Sequence, residues 1–116
     1  MRKLIKANLH LVDKSFRCNT KIREAFRAIL ESKGNVATSL RLMHRVGFLG
    51  AYLPEFGAMD CLVQHEFFHR YTADEHTLRC IDKLDELLTE ESREKIIYSD
   101  LLREHEDPYA LYLALI

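Results

Sequence analysis

Several things are scarce in this chain, and each scarcity narrows the reading. There are three cysteines, Cys18, Cys61 and Cys80, an odd number with no C-x-x-C spacing. That argues against a disulfide framework and against a cysteine zinc site, and for free thiols in a reducing compartment. Two prolines and four glycines are all that punctuate 116 residues, so little interrupts helical stretches. No segment alternates strictly between apolar and polar residues for more than a few positions, and no sheet is expected. No apolar run approaches the ~20 residues that span a bilayer. Met1 to Asp13 has no continuous apolar core and no cleavage site, so it is not read as a signal peptide, and the expected location is cytoplasmic. A formal net charge of −1 gives no case for nucleic acid or an anionic membrane as partner. Repeats, low-complexity segments and linkers are missing too.

What is present is apolar residues at three- and four-residue spacing, 47% hydrophobic overall, in a chain long enough for one domain or part of one. The pattern predicts an all-α helical bundle of about six to seven helices. The first is expected over about Arg2 to Ser15, with Leu4, Ile5, Leu9, Leu11 and Val12 as its apolar set. Asn19-Thr20 offers an N-cap for Lys21 to Ser32, where Ile22, Phe26, Ile29 and Leu30 form one stripe. Gly34 closes that helix and Asn35 caps the next. Val36 to Val46 turns Val36, Leu40, Met43 and either Leu42 or Val46 inward, and Gly47 ends it. Phe48 to Tyr52 is short, stopped by Leu53-Pro54, and a helix from about Phe56 to His65 follows. Thr72 and Glu75 fit a capping box for a helix running to about Leu88. Thr89 to Ser92 opens another, carrying Ile96, Ile97, Leu101 and Leu102 inward. Asp107-Pro108 is a cap followed by proline at the first helical position. Pro108 to Ile116 is apolar nearly all round, which predicts a buried helix and reads as a domain cut short.

The densest chemistry lies in His65-Glu66-Phe67-Phe68-His69-Arg70-Tyr71-Thr72-Ala73-Asp74-Glu75-His76-Thr77, with three of the six histidines. His65-Glu66-Phe67-Phe68-His69 spells H-E-x-x-H, in which two histidines one helical turn apart bind zinc and the glutamate polarises water. A third ligand is the difficulty. The extended metalloprotease pattern puts glycine at position 72, where this chain has Thr72, and a third histidine ten residues after the first, whereas His76 is eleven after His65. On one continuous helix His65 and His76 would stand ~16 Å apart. There is also no strand edge to align a peptide. A zinc metallopeptidase through His65, Glu66 and His69 is therefore the weakest of the readings. His76 falls at the edge of the apolar arc of its helix, next to Cys80 and Leu87. His10, His44 and His105 are expected at the surface.

Gly47-Phe48-Leu49-Gly50-Ala51-Tyr52-Leu53-Pro54-Glu55-Phe56-Gly57 and Tyr71-Thr72-Ala73-Asp74-Glu75-His76-Thr77-Leu78 resemble the bifunctional protein-PII uridylyltransferase/uridylyl-removing enzymes. Leu11-Val12-Asp13, Ile29-Leu30-Glu31-Ser32 and Leu40-Arg41-Leu42-Met43-His44-Arg45 agree too, so the resemblance covers nearly the whole chain. It implies a helical linker region after a nucleotidyltransferase domain over 1–56, and the N-terminal part of an HD phosphohydrolase domain over 57–116, cut before its His-Asp doublet. In such domains a divalent metal (Mg, Mn or Zn) activates a water that attacks phosphorus. The resemblance places His76 as the first metal ligand, with His65 and His69 able to line the same pocket. The transferase signature and the His-Asp doublet are absent from this chain. The piece is thus expected to be inactive alone and to hold no metal, while the parent acts on the PII signal protein. Its last helix would lack packing partners, implying an exposed apolar surface and a homo-oligomer. A stand-alone, non-catalytic interaction or dimerisation module is the alternative.

Overall fold

The structure is a computed structural model that describes residues 1–60, 71–89, 96–104 and 107–116. Among them stand nine α-helices, a single 3-10 turn and no strand, an all-α bundle. The helices are α1 (Arg2–Ala7), α2 (Lys14–Cys18), α3 (Thr20–Leu30), α4 (Val36–Arg45), α5 (Phe48–Tyr52), α6 (Pro54–Ala58), α7 (Ala73–Thr89), α8 (Ile96–Glu104) and α9 (Pro108–Leu115).

The helix expected over Arg2 to Ser15 is three pieces. Asn8 turns its side-chain amide back onto the Leu4 carbonyl at 2.8 Å, and a 3-10 turn, Leu9–Leu11, follows. Asp13 then caps α2, its Oδ1 accepting the Phe16 N–H at 2.8 Å. Short polar side chains that satisfy nearby backbone groups compete with a continuous helix, and here they win twice. Of the apolar set assigned to that helix, Leu4 and Leu11 are exposed and Ile5, Leu9 and Val12 are half-buried.

From Asn19 to Gly47 the pattern and the fold agree closely, whereas Ile97 and Leu101 of α8, expected inward, are exposed. The Asn19 side chain accepts the Lys21 N–H, and α3 buries Phe26 and Leu30. Gly34 and Gly47 take left-handed backbone at φ 80°, where a side chain would be strained, and they bracket α4. Between Leu42 and Val46 the interior takes Val46, leaving Leu42 half exposed. Leu53 is extended before Pro54, and Pro54 opens α6, two residues before the expected start. The residues from Cys61 to Arg70, which carry the rest of that expected helix, lie outside the described set. So do Glu90 to Lys95, where the segment leading into α8 was expected to begin.

The core joins α3, α4, α5, α6, α7 and α9 through Phe26, Leu30, Leu40, Leu49, Phe56, Leu78, Ile81 and Tyr112. On α7 the buried residues Leu78, Ile81 and Leu84 share one face. Helix α9 departs from the sequence reading. Only Tyr112 is fully buried, while Leu113 is 41% exposed. Its apolar composition is not matched by cover on all sides, so one face packs and the other meets solvent.

Candidate functional site

Helix α7 begins at Ala73, and the Thr72 carbonyl accepts the His76 N–H at 2.8 Å. Asp74 and Glu75 occupy its first turn, where the helix dipole favours negative charge. At 100° per residue Asp74, Leu78, Ile81 and Asp85 fall on one stripe. Both aspartates are carried inward with it: Asp74 is 5% exposed and Asp85 7%. A buried carboxylate needs partners, and the two find different ones.

Asp74 meets His44. On α4 the spacing Val36, Leu40, His44 continues the buried face by one more turn, and the imidazole reaches Asp74, Nε2 to Oδ2, at 3.0 Å. Phe56 stands edge-on to the ring at 5.6 Å between centroids, which fixes its plane. Asp60, just past α6, brings a second carboxylate. One donor atom from each of His44, Asp60 and Asp74 lies within 4.8 Å of the others. Burial opposes the charge on Asp74, but the Thr72 hydroxyl, the Glu75 N–H and His44 more than offset it, holding the carboxyl below the usual aspartate range. Its Oδ1 is buried and makes no hydrogen bond of good geometry.

Asp85 closes a tether. Its Oδ2 accepts the Ala37 N–H at 2.8 Å and its Oδ1 accepts the Tyr112 hydroxyl at 2.6 Å, both in the interior. Asn35 occupies the N-cap position of α4 but makes no side-chain cap bond. The expected cap is supplied instead from α7. Glu75, cast by the sequence as the far member of a capping box, receives Arg41 at 3.0 Å and Arg79 at 3.1 Å. The same Arg41 donates to Asp82 two turns along, so one guanidinium clamps α4 to α7.

His76 is exposed, with Nε2 3.9 Å from the Cys80 sulfur one turn on. The adjacency to Cys80 follows the i, i+4 spacing. It sits about 200° around α7 from Asp74 and is not among the donors grouped with His44 and Asp60. No group of three such donors among the described residues includes it. His65, Glu66, His69 and His105 lie outside the described residues, and His10 is exposed. His44, expected at the surface, is instead half-buried and bonded to Asp74. Its continuation of the Val36–Leu40 stripe was the signal for this, as the place of Asp74 on the apolar arc of α7 was for its burial.

A separate apolar groove of about 520 Å3 lies between the N-terminal turns and α4, lined by residues that include Ile5, Leu9, Val12, Met43 and Val46. Among the described residues no carboxylate or imidazole lines it.

Comparison with known proteins gives a consistent result. The family profile described as Uridylyltransferase GlnD third domain matches residues 1–52. The Bifunctional uridylyltransferase/uridylyl-removing enzyme of Methylococcus capsulatus is 40% identical over 113 residues, covering 97% of this chain and 13% of that protein. Proteins of the same name from Pseudomonas fluorescens and Nitrosococcus oceani are 38% and 37% identical, with the same coverage. The chain therefore spans 13% of the length of these relatives. No solved structure matches it.

Proposed function

The chain belongs to the bifunctional uridylyltransferase/uridylyl-removing enzyme family, and from that premise we propose that it forms the helical stretch leading into, and beginning, the uridylyl-removing unit. In this reading residues 1–56 are the helical linker region after the nucleotidyltransferase domain, and 57–116 are the N-terminal part of the HD phosphohydrolase domain. The observation that carries it is the 40% identity maintained over 97% of the chain.

The reaction assigned to the full enzyme is hydrolysis of the uridylyl group from the PII signal protein. His76 is read as one ligand of a divalent metal, with His65 and His69 near it. The described residues do not by themselves complete a ligand set around His76, and this chain contains no His-Asp doublet. The reading therefore assigns no turnover to the chain alone. What its own residues contribute is position. Arg41 holds Glu75 and Asp82, and Asp85 locks α7 to α4 and α9. The first turn of α7 is thereby fixed on the bundle, and with it the backbone that carries His76.

A chimera tests this. The 113-residue matching segment of the Methylococcus capsulatus protein is replaced by this chain, and both uridylyl transfer and uridylyl removal are measured. The chimera should remove uridylyl groups. His76→Ala within it should lower removal by roughly a hundredfold or more, as loss of a metal ligand does, with transfer preserved. Equal removal by the chimera and its His76→Ala form would sink the assignment.

A further inference from the structure

We propose that His44, Asp60 and Asp74 form a binding site for a first-row divalent cation such as Mn2+ or Zn2+, separate from the ligand role read for His76. Three side chains from three places in the chain converge here, offering one imidazole nitrogen and two carboxylate oxygens within 4.8 Å of one another. That donor set suits a borderline cation better than a soft one: carboxylates favour Mg2+, Ca2+ and Mn2+, and imidazole adds affinity for zinc-like ions.

The spacing is close to that of a coordination sphere. Ligands at ~2.1 Å in neighbouring octahedral positions stand ~3.0 Å apart, and His44 Nε2 and Asp74 Oδ2 are 3.0 Å apart. Opposite ligands stand ~4.2 Å apart, so the widest separation has to close by less than ~1 Å. Asp60 is the exposed member of the three.

The His44 contact accounts for Oδ2, and the Thr72 hydroxyl and Glu75 N–H also favour the carboxylate. Asp74 is 5% exposed, yet its Oδ1 is buried and makes no hydrogen bond of good geometry. A carboxylate oxygen held in the interior without a well-placed donor is destabilising. A cation seated between Asp74 and Asp60 would satisfy that oxygen and neutralise two neighbouring carboxylates. Phe56 against the imidazole supplies a rigid ring, and the exposed Asp60 leaves a way in from solvent.

The inference stands apart from the hydrolase reading, because His76 lies on another flank of α7. It is tested on the intact chain, stripped with EDTA and desalted. MnCl2 is titrated while free Mn2+ is followed by electron paramagnetic resonance, and ZnCl2 by calorimetry. One cation per chain should bind in the micromolar range. Asp60→Asn, at an exposed position that leaves the fold intact by circular dichroism, should weaken binding at least about tenfold. Asp74→Asn should weaken it further, and His76→Ala should leave it unchanged. The proposal is overturned by no saturable binding of either ion up to about 1 mM, by binding indifferent to Asp60→Asn, or by binding that His76→Ala weakens as much as Asp60→Asn.

Discussion

Asp85 and Tyr112 show what a single buried polar pair can hold. The carboxylate links three helices, through the Ala37 N–H of α4 and the Tyr112 hydroxyl of α9. Burial, then the bond to Asp85, pushes the Tyr112 phenol well above its ordinary value, so the fold favours the neutral form. Tyr112→Phe removes one donor from an interior carboxylate and should cost about 1–3 kcal/mol at neutral pH. The pH dependence has a definite sign. Below about pH 10 the phenol is protonated in folded and unfolded chains alike, and its contribution is complete. As pH rises above that, the unfolded chain ionises while the folded chain still holds its proton, and the contribution is lost by up to roughly 1.4 kcal/mol per unit. The stability gap between the native protein and Tyr112→Phe should therefore narrow from about pH 10 to 11 in urea unfolding followed by circular dichroism. A gap constant through that range would remove Tyr112 as the titrating group.

At the scale of elements, helices α5 and α6 meet through glycine. A Cβ placed on Gly57 would stand 2.7 Å from the Gly50 carbonyl oxygen, and one on Gly50 would stand 3.0 Å from the Gly57 Cα. Both contacts are with backbone, which cannot rotate aside. Gly57→Ala should thus destabilise by about 1–3 kcal/mol, although alanine is the better helix former. A melting temperature unchanged or raised in this variant would show that the two helices can separate without loss. That close approach could not be read from the sequence, where Gly50 and Gly57 serve equally well as turn residues. The elements that could be read had local causes: Asn19 at the start of α3, Gly47 after α4, Leu53-Pro54 at the end of α5, and Pro108 at the first turn of α9. Those that could not depended on partners distant in the chain. Asn35 is a good cap by type, but Asp85, 48 residues beyond Ala37, takes the N–H. Glu75 fits a capping box by type, and its partner Arg41 comes from another helix, 34 residues away. The candidate site divides the same way. The prominence of His76 came from a local motif, whereas the convergence of His44, Asp60 and Asp74 is tertiary. Only the stripes Val36–Leu40–His44 and Asp74–Leu78–Ile81–Asp85 hinted that polar groups would be buried.

Across the whole molecule burial is uneven, and stability should be uneven with it. None of the first 25 residues is fully buried, whereas Leu30, Val36, Leu40, Leu49 and Ile81 are completely so. Each such aliphatic side chain contributes roughly 1.5–3 kcal/mol through burial, and those on α4 and α7 lie on helices bound further by Arg41 and Asp85. The N-terminal turns rest on the bundle across an apolar groove of about 520 Å3, with Leu9 Cδ1 against the Cα side of Gly47. Few of their contacts exclude water. Amide exchange followed by NMR should divide the chain accordingly. Amides in α1 and the following 3-10 turn should open locally, with protection factors within about tenfold of the free chain. Those at Leu40 and Ile81 should exchange only on global unfolding, slower by at least about a thousandfold. Denaturant at low concentration should leave the first set unchanged and speed the second, because only global opening exposes large surface. Uniform protection from α1 to α7 would mean that the N-terminal turns belong to the same cooperative unit as the core, despite the few side chains they bury.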